Sequence, residues 1–246
     1  MRRGLWVAAT LTVMAGVGFA EEAGKLPTVK VLVEQMEAKF AQIRSFEADS
    51  RYLKECPGEP KRTRQDGHWA MEIGEEQGKK VLREFNVMKL VADEWIEESK
   101  KVNDGKFEWD ERRTPRHQGV MVTKSEPDEI NILDWLLHIV KEDGELYGLK
   151  VVGEEEIDGQ KMYVLEGSRT FPLTIDNQAS LGMLIRMKML GGTKDLILRR
   201  WVIWTSLGPM VETVEYFNLK VDQKIDPEVF KYTPPEGAKV EDRTKE

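Results

Sequence analysis

Two Asp-Gly pairs limit most sharply what this chain can fold into. Asp104-Gly105 lies in "VNDGKF" and Asp158-Gly159 in "EIDGQKMYVL", each between runs in which apolar and polar residues alternate. Asp and Gly tolerate the positive φ of a tight reversal, so each pair predicts a hairpin and therefore antiparallel neighbours. Similar runs fill most of the chain: "HWAMEIG", "KKVLREFNVMKL", "DEWIEESKKV" and "GKFEWDER", then "LKVVGEEEI", "QKMYVLEGSR", "GMLIRMKML", "DLILRRWVIWTS" and "PMVETVEYFNLKVDQKI". They are short, rich in aromatic and β-branched residues, and bounded by Gly, Asp and Asn. The expectation is a mainly β chain with some α. Residues 168–182 carry no period that assigns them.

Two segments break the period of two. In "VKVLVEQMEAKFAQI", Val29, Val33, Met36, Phe40 and Ile43 recur three or four apart, which predicts a helix over 29–43 with one apolar face and Thr28 as its N-cap. It runs directly into a strand, because Phe46, Ala48, Ser50 and Tyr52 alternate with Glu47, Asp49 and Arg51. In "SEPDEINILDWLLHIVKEDG", Ser125 is the expected cap, Asp128 the capping-box partner and Gly144 the terminator. That second helix, over 125–142, is apolar on most of its circumference and needs cover on more than one side.

The chain closes on "IDPEVFKYTPPEGAKVED". Asp226 with Pro227 predicts a single helical turn that swings Phe230 back onto the sheet. Thr233 before Pro234 keeps 231–235 extended, as an edge strand or polyproline segment, and Gly237 permits a turn before Val240. The whole reads as a clasp over an open sheet edge.

Residues 1–20, "MRRGLWVAATLTVMAGVGFA", place Arg2 and Arg3 before a short apolar run that ends in small residues, which predicts a cleaved secretory signal. A retained anchor would need a longer unbroken apolar run. Loss of Arg2 and Arg3 takes the net charge from -7 to about -9. That balance argues against a nucleic-acid partner and against tight attachment to anionic headgroups. Residues 21–246 are of a size for one domain. The one cysteine, Cys56, cannot form a disulfide within the chain, so the core must supply the stability; it reads as an unpaired thiol near a turn.

Catalytic signals are weak. His68, His117 and His138 are scattered, no His-x-x-x-His or Glu-x-x-His pair is present, and "LGGTKD" lacks the length and ending of a phosphate loop. His68 is expected at the head of a strand and His138 in the core. Glu154 to Glu156 read as solvated hairpin residues. No catalytic residue, metal ligand or cofactor is predicted. The informative pattern is apolar: Met183, Ile185, Met187 and Met189 share one strand face, with Arg186 and Lys188 on the other. Methionine adapts to chains of variable shape, and six tryptophans follow the leader. The same residues would also serve as a solid core.

"FKYTPPEGAKVED" resembles the C-terminal signature of the LolA-like outer-membrane lipoprotein carriers. "LVEQMEAKFAQIRSFEADSRY" resembles that family's first helix running into its first strand. "VNDGKFEWDERRTP" resembles its Asp-Gly-Lys hairpin, and "INILDWLLHIVK" stands where the family has a short apolar helix. The resemblance implies a curved antiparallel sheet, an incomplete barrel with helices in its mouth. It implies a monomeric periplasmic carrier that holds lipoprotein acyl chains in an apolar cavity. The implied partners are the lipid moiety of lipoproteins, an inner-membrane releasing complex and an outer-membrane acceptor. Phe40, Trp69, Phe85, Trp109, Leu133, Leu137, Met183, Met187 and Trp201 are the residues expected to line the cavity. "GHWAMEIGEEQGKKVLREF" departs from the family pattern in having no Arg-Pro pair, Arg83 lying nearby but outside such a motif. The alternative within the same fold is a lipid-sensing regulator that binds a membrane-protein partner.

Overall fold

The computed structural model describes residues 26–56, 62–76, 78–92, 95–113, 119–127, 131–175, 178–206 and 210–244, with the backbone alone at 62, 92, 95, 171–175 and 178–183. The leader at 1–20, Asp128 and His117 lie outside the described residues. Helix α1 (Val29–Phe40) begins where Thr28 Oγ1 accepts from Val31 N, as its sequence predicts. Its buried stripe is Leu32, Met36 and Phe40, each contributing about 1.5–3 kcal/mol by leaving water. Val29 and Val33 flank that stripe and are only partly buried.

After a short turn the chain enters β1 (Ser45–Glu55) and then β2 (Arg62–Glu76), β3 (Lys79–Ala92), β4 (Trp95–Asn103), β5 (Glu108–Arg113) and β6 (Met121–Ser125). Five further long or medium strands follow the second helical segment: β7 (Lys150–Ile157), β8 (Gln160–Ile175), β9 (Gln178–Gly192), β10 (Leu198–Thr205) and β11 (Met210–Val221). With β12 (Lys239–Asp242) they form one twelve-stranded sheet in the order β12-β6-β5-β4-β3-β2-β1-β11-β10-β9-β8-β7. The sheet is curved and open, not closed into a barrel. Of residues 168–182, unassigned by sequence, 168–175 belong to β8 and 178–182 to β9, which pair with each other. Asp158 and Gly159 turn between β7 and β8 with φ of 51° and 74°. At the other Asp-Gly pair, Asp104 Oδ1 accepts from Lys106 N and Phe107 N, both at 2.8 Å.

The second helical segment differs from expectation at both ends. Ser125 closes β6, and the cap is Asn131: its Oδ1 accepts from Leu133 N and Asp134 N, while Asp134 completes the capping box. Helix α2 (Ile132–His138) then loosens into one π-turn, Ile139–Asp143, and tightens again as α3 (Gly144–Tyr147). Gly144 sits inside the segment, which stops at Gly148 with φ of 59°. Gly167 lets this end press on the sheet: a Cβ there would lie 2.6 Å from Tyr147 O. His138, expected in the core, is 63% exposed at its side chain. His68 lies within β2, where Nδ1 is 2.8 Å from Asp49 Oδ1.

The register sorts the side chains onto two faces. The inner face carries α1, α2 and the main core, in which Phe46 and Ala48 of β1, Met71 of β2, Leu165 of β8, Met187 and Met189 of β9, Trp201 of β10 and Tyr216 of β11 meet the helices. The outer face is covered near β2 and β3 by the C-terminal clasp. Asp226 Oδ1 accepts from Glu228 N, Pro227–Phe230 make a single turn, and Ile225 and Phe230 pack with Ala70 and Phe85. Tyr232 then donates to Glu111 Oε2 at 2.8 Å. Residues 231–235 carry no strand; the edge is capped farther on, where β12 runs parallel to β6.

Candidate functional site

On the inner face, the helices cover one part of the long strands and leave the remainder of β2, β3, β4 and β5 open. Register builds that open region in rows. Trp69 of β2 stands opposite Asn86 of β3, which stands opposite Lys101 of β4 and, across it, Asp110 of β5. The next row runs Gly67, Met88, Ser99 and Arg112, and the one beyond runs Gln65, Leu90 and Glu97. These rows enclose a cleft of about 460 Å³, within the 300–1,000 Å³ common for ligand pockets. Trp69, Met88 and Leu90 form its apolar side, and five charged groups line the other. Gly67 keeps it open, since a Cβ there would lie 2.6 Å from Ser50 Oγ and 3.5 Å from Met88 Cγ.

Electrostatically the cleft is close to balanced. Lys101 Nζ lies 3.0 Å from Glu108 Oε2, and Arg112 Nη2 lies 2.7 Å from Asp110 Oδ2, with Glu97 as a third carboxylate. The Asp110 hydrogen bond and charge hold Arg112 firmly protonated. Trp69 is oriented by its Nε1 hydrogen donated to Ser50 Oγ at 3.2 Å. Asn86, only 5% exposed, has a carboxamide oxygen with no partner among the described residues.

Helix α2 comes close to this cleft. Glu84, one inner-face step from Asn86 along β3, is buried, and its Oε1 accepts from Ile132 N of α2 at 3.0 Å. Trp135 on α2 is 40% exposed and its ring meets Trp201 edge-on at a centroid distance of 5.6 Å. A π-turn interrupting a helix is often found at functional positions. Here it lies directly beyond α2. Nearby on β1, burial and the Glu212 carboxylate push the Tyr52 hydroxyl up to about 12.

The nine predicted lining residues do not form one surface. Phe40, Leu133, Leu137, Met187 and Trp201 meet in the packed core between helices and sheet, and Trp69 joins that core at the margin of the cleft. Phe85 and Trp109 sit on the outer face instead. The reason is register: Phe85 pairs with Ala70 and Trp109 with Val102, so both turn toward the clasp. Phe85 packs beside Phe230, and the Trp109 ring lies 5.4 Å from that of Tyr232. The side chain of Met183 lies outside the described residues. The sequence reading missed Asn86, Met88, Leu90 and Glu84. Their signal was the β2–β3 hairpin: Glu76 faces Lys79, which fixes Trp69 opposite Asn86.

A larger hollow of about 700 Å³ opens among Glu166, Ser168, Arg186, Lys188 and Trp204. Those residues alternate with Met187 and Leu165, which places the hollow chiefly on the outer face of β8–β10, away from the helices. It lies away from the helices and from the packed core they cover, which sets it apart from the inner-face cleft. Among the described residues no group of three or more His, Cys, Asp or Glu is arranged to hold a metal ion.

No family model matches the chain, and no curated protein does. Solved structures do. LprF from Mycobacterium bovis matches at 14% identity and a TM-score of 0.40, over 80% of this chain and 94% of that one. The Pseudomonas aeruginosa MucA/MucB complex matches at 12% and 0.39, over 83% of this chain and 61% of that one. An outer membrane lipoprotein-sorting protein domain from Vibrio parahaemolyticus matches at 11% and 0.30, over 82% and 95%. The architecture is an open, curved and mainly antiparallel sheet with helices lodged against its inner face.

Proposed function

We propose that this protein is a periplasmic, non-enzymatic carrier that holds the acyl chains of lipid-modified proteins against the inner face of its sheet. The observation that carries the reading is the cleft beside α2, with Trp69, Met88 and Leu90 as an apolar wall next to a helix fastened by one buried carboxylate. Each methylene removed from water contributes about 0.8 kcal/mol, so a long chain brings on the order of ten before ordering costs. That is enough to displace a lid helix from part of the core. The packed residues Phe40, Leu133, Leu137, Met187 and Trp201 are then the deeper surface exposed when α2 lifts, and the methionines adapt to the entering chain. An inner-membrane releasing complex and an outer-membrane acceptor are the partners such a role requires.

An acyl peptide brominated in mid-chain tests this, because bromine quenches tryptophans that it touches. Quenching of wild type that falls in Trp69→Phe and again in Trp69→Phe/Trp135→Phe is the expected result. No quenching, or quenching indifferent to both replacements, overturns the reading.

One observation favours a second reading, a lipid-sensing regulator that binds the exported part of a membrane protein. Among the described residues strand β7 is an unpaired edge of the sheet, with Val152 about half exposed at 51%, and an unpaired edge can accept a further strand. Stable capture of a membrane protein's exported segment without lipid, abolished by Val152→Pro, would favour it over the carrier.

A further inference from the structure

Asn86 is the least explained residue of the inner face. Buried carboxamides are almost always hydrogen-bonded, because an unmet polar atom away from water costs about 1–3 kcal/mol. Asn86 is 5% exposed, lines the cleft, and leaves its Oδ1 unmet. Asn103 is similar. Its Oδ1 accepts from Gly105 N at 2.8 Å, while its Nδ2, in a side chain 1% exposed that lies just behind the cleft wall, has no partner among the described residues. By register Asn86 faces Lys101 and Asn103 faces Glu84, so the two asparagines are diagonal neighbours on the same face of β3 and β4. One offers an acceptor and the other a donor.

We infer that Asn86, with Asn103 beside it, is a polar subsite for a secondary amide at the head of an acyl chain, the N-acylated amino terminus of a lipid-modified polypeptide. An amide presents one N–H and one carbonyl, the complement of an unmet carboxamide oxygen and an unmet carboxamide N–H. The charges of the cleft point the same way. Lys101 and Arg112 are each already paired with a carboxylate, and Glu97 adds another. A phosphate or free carboxylate head would meet no available cation there and would face net negative charge. A neutral amide meets none of that repulsion. Trp69, Met88 and Leu90 lie alongside Asn86, so the first methylenes of the chain would start on apolar ground.

This subsite rests on the acyl-binding reading, and the test separates the two. Wild type, Asn86→Leu and Asn86→Val are titrated with N-dodecanoyl glycinamide and with methyl dodecanoate, which keeps the chain but has no N–H to donate. Wild type is expected to prefer the amide by about tenfold, the effect of one hydrogen bond to a buried group. Both variants are expected to lose that preference while keeping their affinity for the ester. Valine is small enough for the space that asparagine leaves if leucine proves hard to pack. Equal binding of both ligands by wild type overturns the subsite and leaves the acyl reading standing. Preference retained by both variants also overturns it, and binding of neither ligand removes the acyl reading and the subsite together.

Discussion

Replacing Glu84 with alanine should loosen α2 without unfolding the sheet. Glu84 is 8% exposed and presents Oε1 to Ile132 N at 3.0 Å, a contact in which donor and acceptor are both buried. A hydrogen bond to a charged group of this kind contributes about 1.5–3 kcal/mol, and its loss leaves a backbone donor with no route to water. Domains of this size have about 5–15 kcal/mol of stability, so the sheet should survive. The loss is therefore local. At 1.4 kcal/mol per factor of ten, α2 opens about 10- to 100-fold more often. Hydrogen exchange of the amides at 133–136 reads that opening directly. Glu84→Gln keeps a carbonyl acceptor and should fall between wild type and Glu84→Ala. Unchanged exchange at 133–136 in Glu84→Ala, or acceleration shared equally by the amides of β1 and β2, would refute the idea that this carboxylate fastens the lid.

Two further expectations concern the clasp and the tyrosines. Tyr232→Phe removes the hydroxyl that donates to the buried Glu111 carboxylate; it should cost about 1–2 kcal/mol in urea unfolding, and no shift in midpoint would mean the clasp is only draped on the sheet. Burial, then the Glu212 carboxylate, raises Tyr52 to about 12, above its ordinary value of 10.0, so the folded state favours the neutral phenol. Its contribution is complete below pH 10 and is lost as pH rises toward 12. Tyr216 and Tyr232 shift upward as well, Tyr216 by burial, Tyr232 by burial and by Glu111. An absorbance titration of the folded protein should show part of the tyrosine signal held back above pH 10 and released on unfolding, and a single transition near 10 for the whole signal would contradict the packing described.

Strand-level features were legible because each rests on local rules. Thr28 and Asp226 cap through their own side chains, and Asp158-Gly159 turns because both residues accept positive φ. The alternation of Phe46 and Ala48 with polar neighbours survived intact, since one face of β1 meets the core. What misled was choosing a face where both faces are apolar. In "FNVMKLV", Phe85 and Val87 look as fit for a lining as Met88 and Leu90, and only pairing across the β2–β3 hairpin separates them. The clasp compounds this by making a second apolar environment on the outer face, which absorbs Phe85 and Trp109. The α2 start shows a different limit. Ser125 and Asn131 are both sound caps, and β6 claims Ser125 through its pairing with Glu108 of β5. His138 looked buried because its neighbours are apolar, yet α2 turns that position to solvent, where it lies 3.8 Å from Glu142. Asn86 gave no sequence signal, because an asparagine in a strand is unremarkable until its burial and lack of a partner are known.

The central claim, that this fold binds acyl chains, is tested most directly by native mass spectrometry of residues 21–246 with a triacylated peptide and with its unacylated twin. The account predicts an adduct of one acylated peptide per protein and none with the twin. No adduct with either, or equal adducts with both, would contradict it and leave the inner face as a core that serves the fold alone.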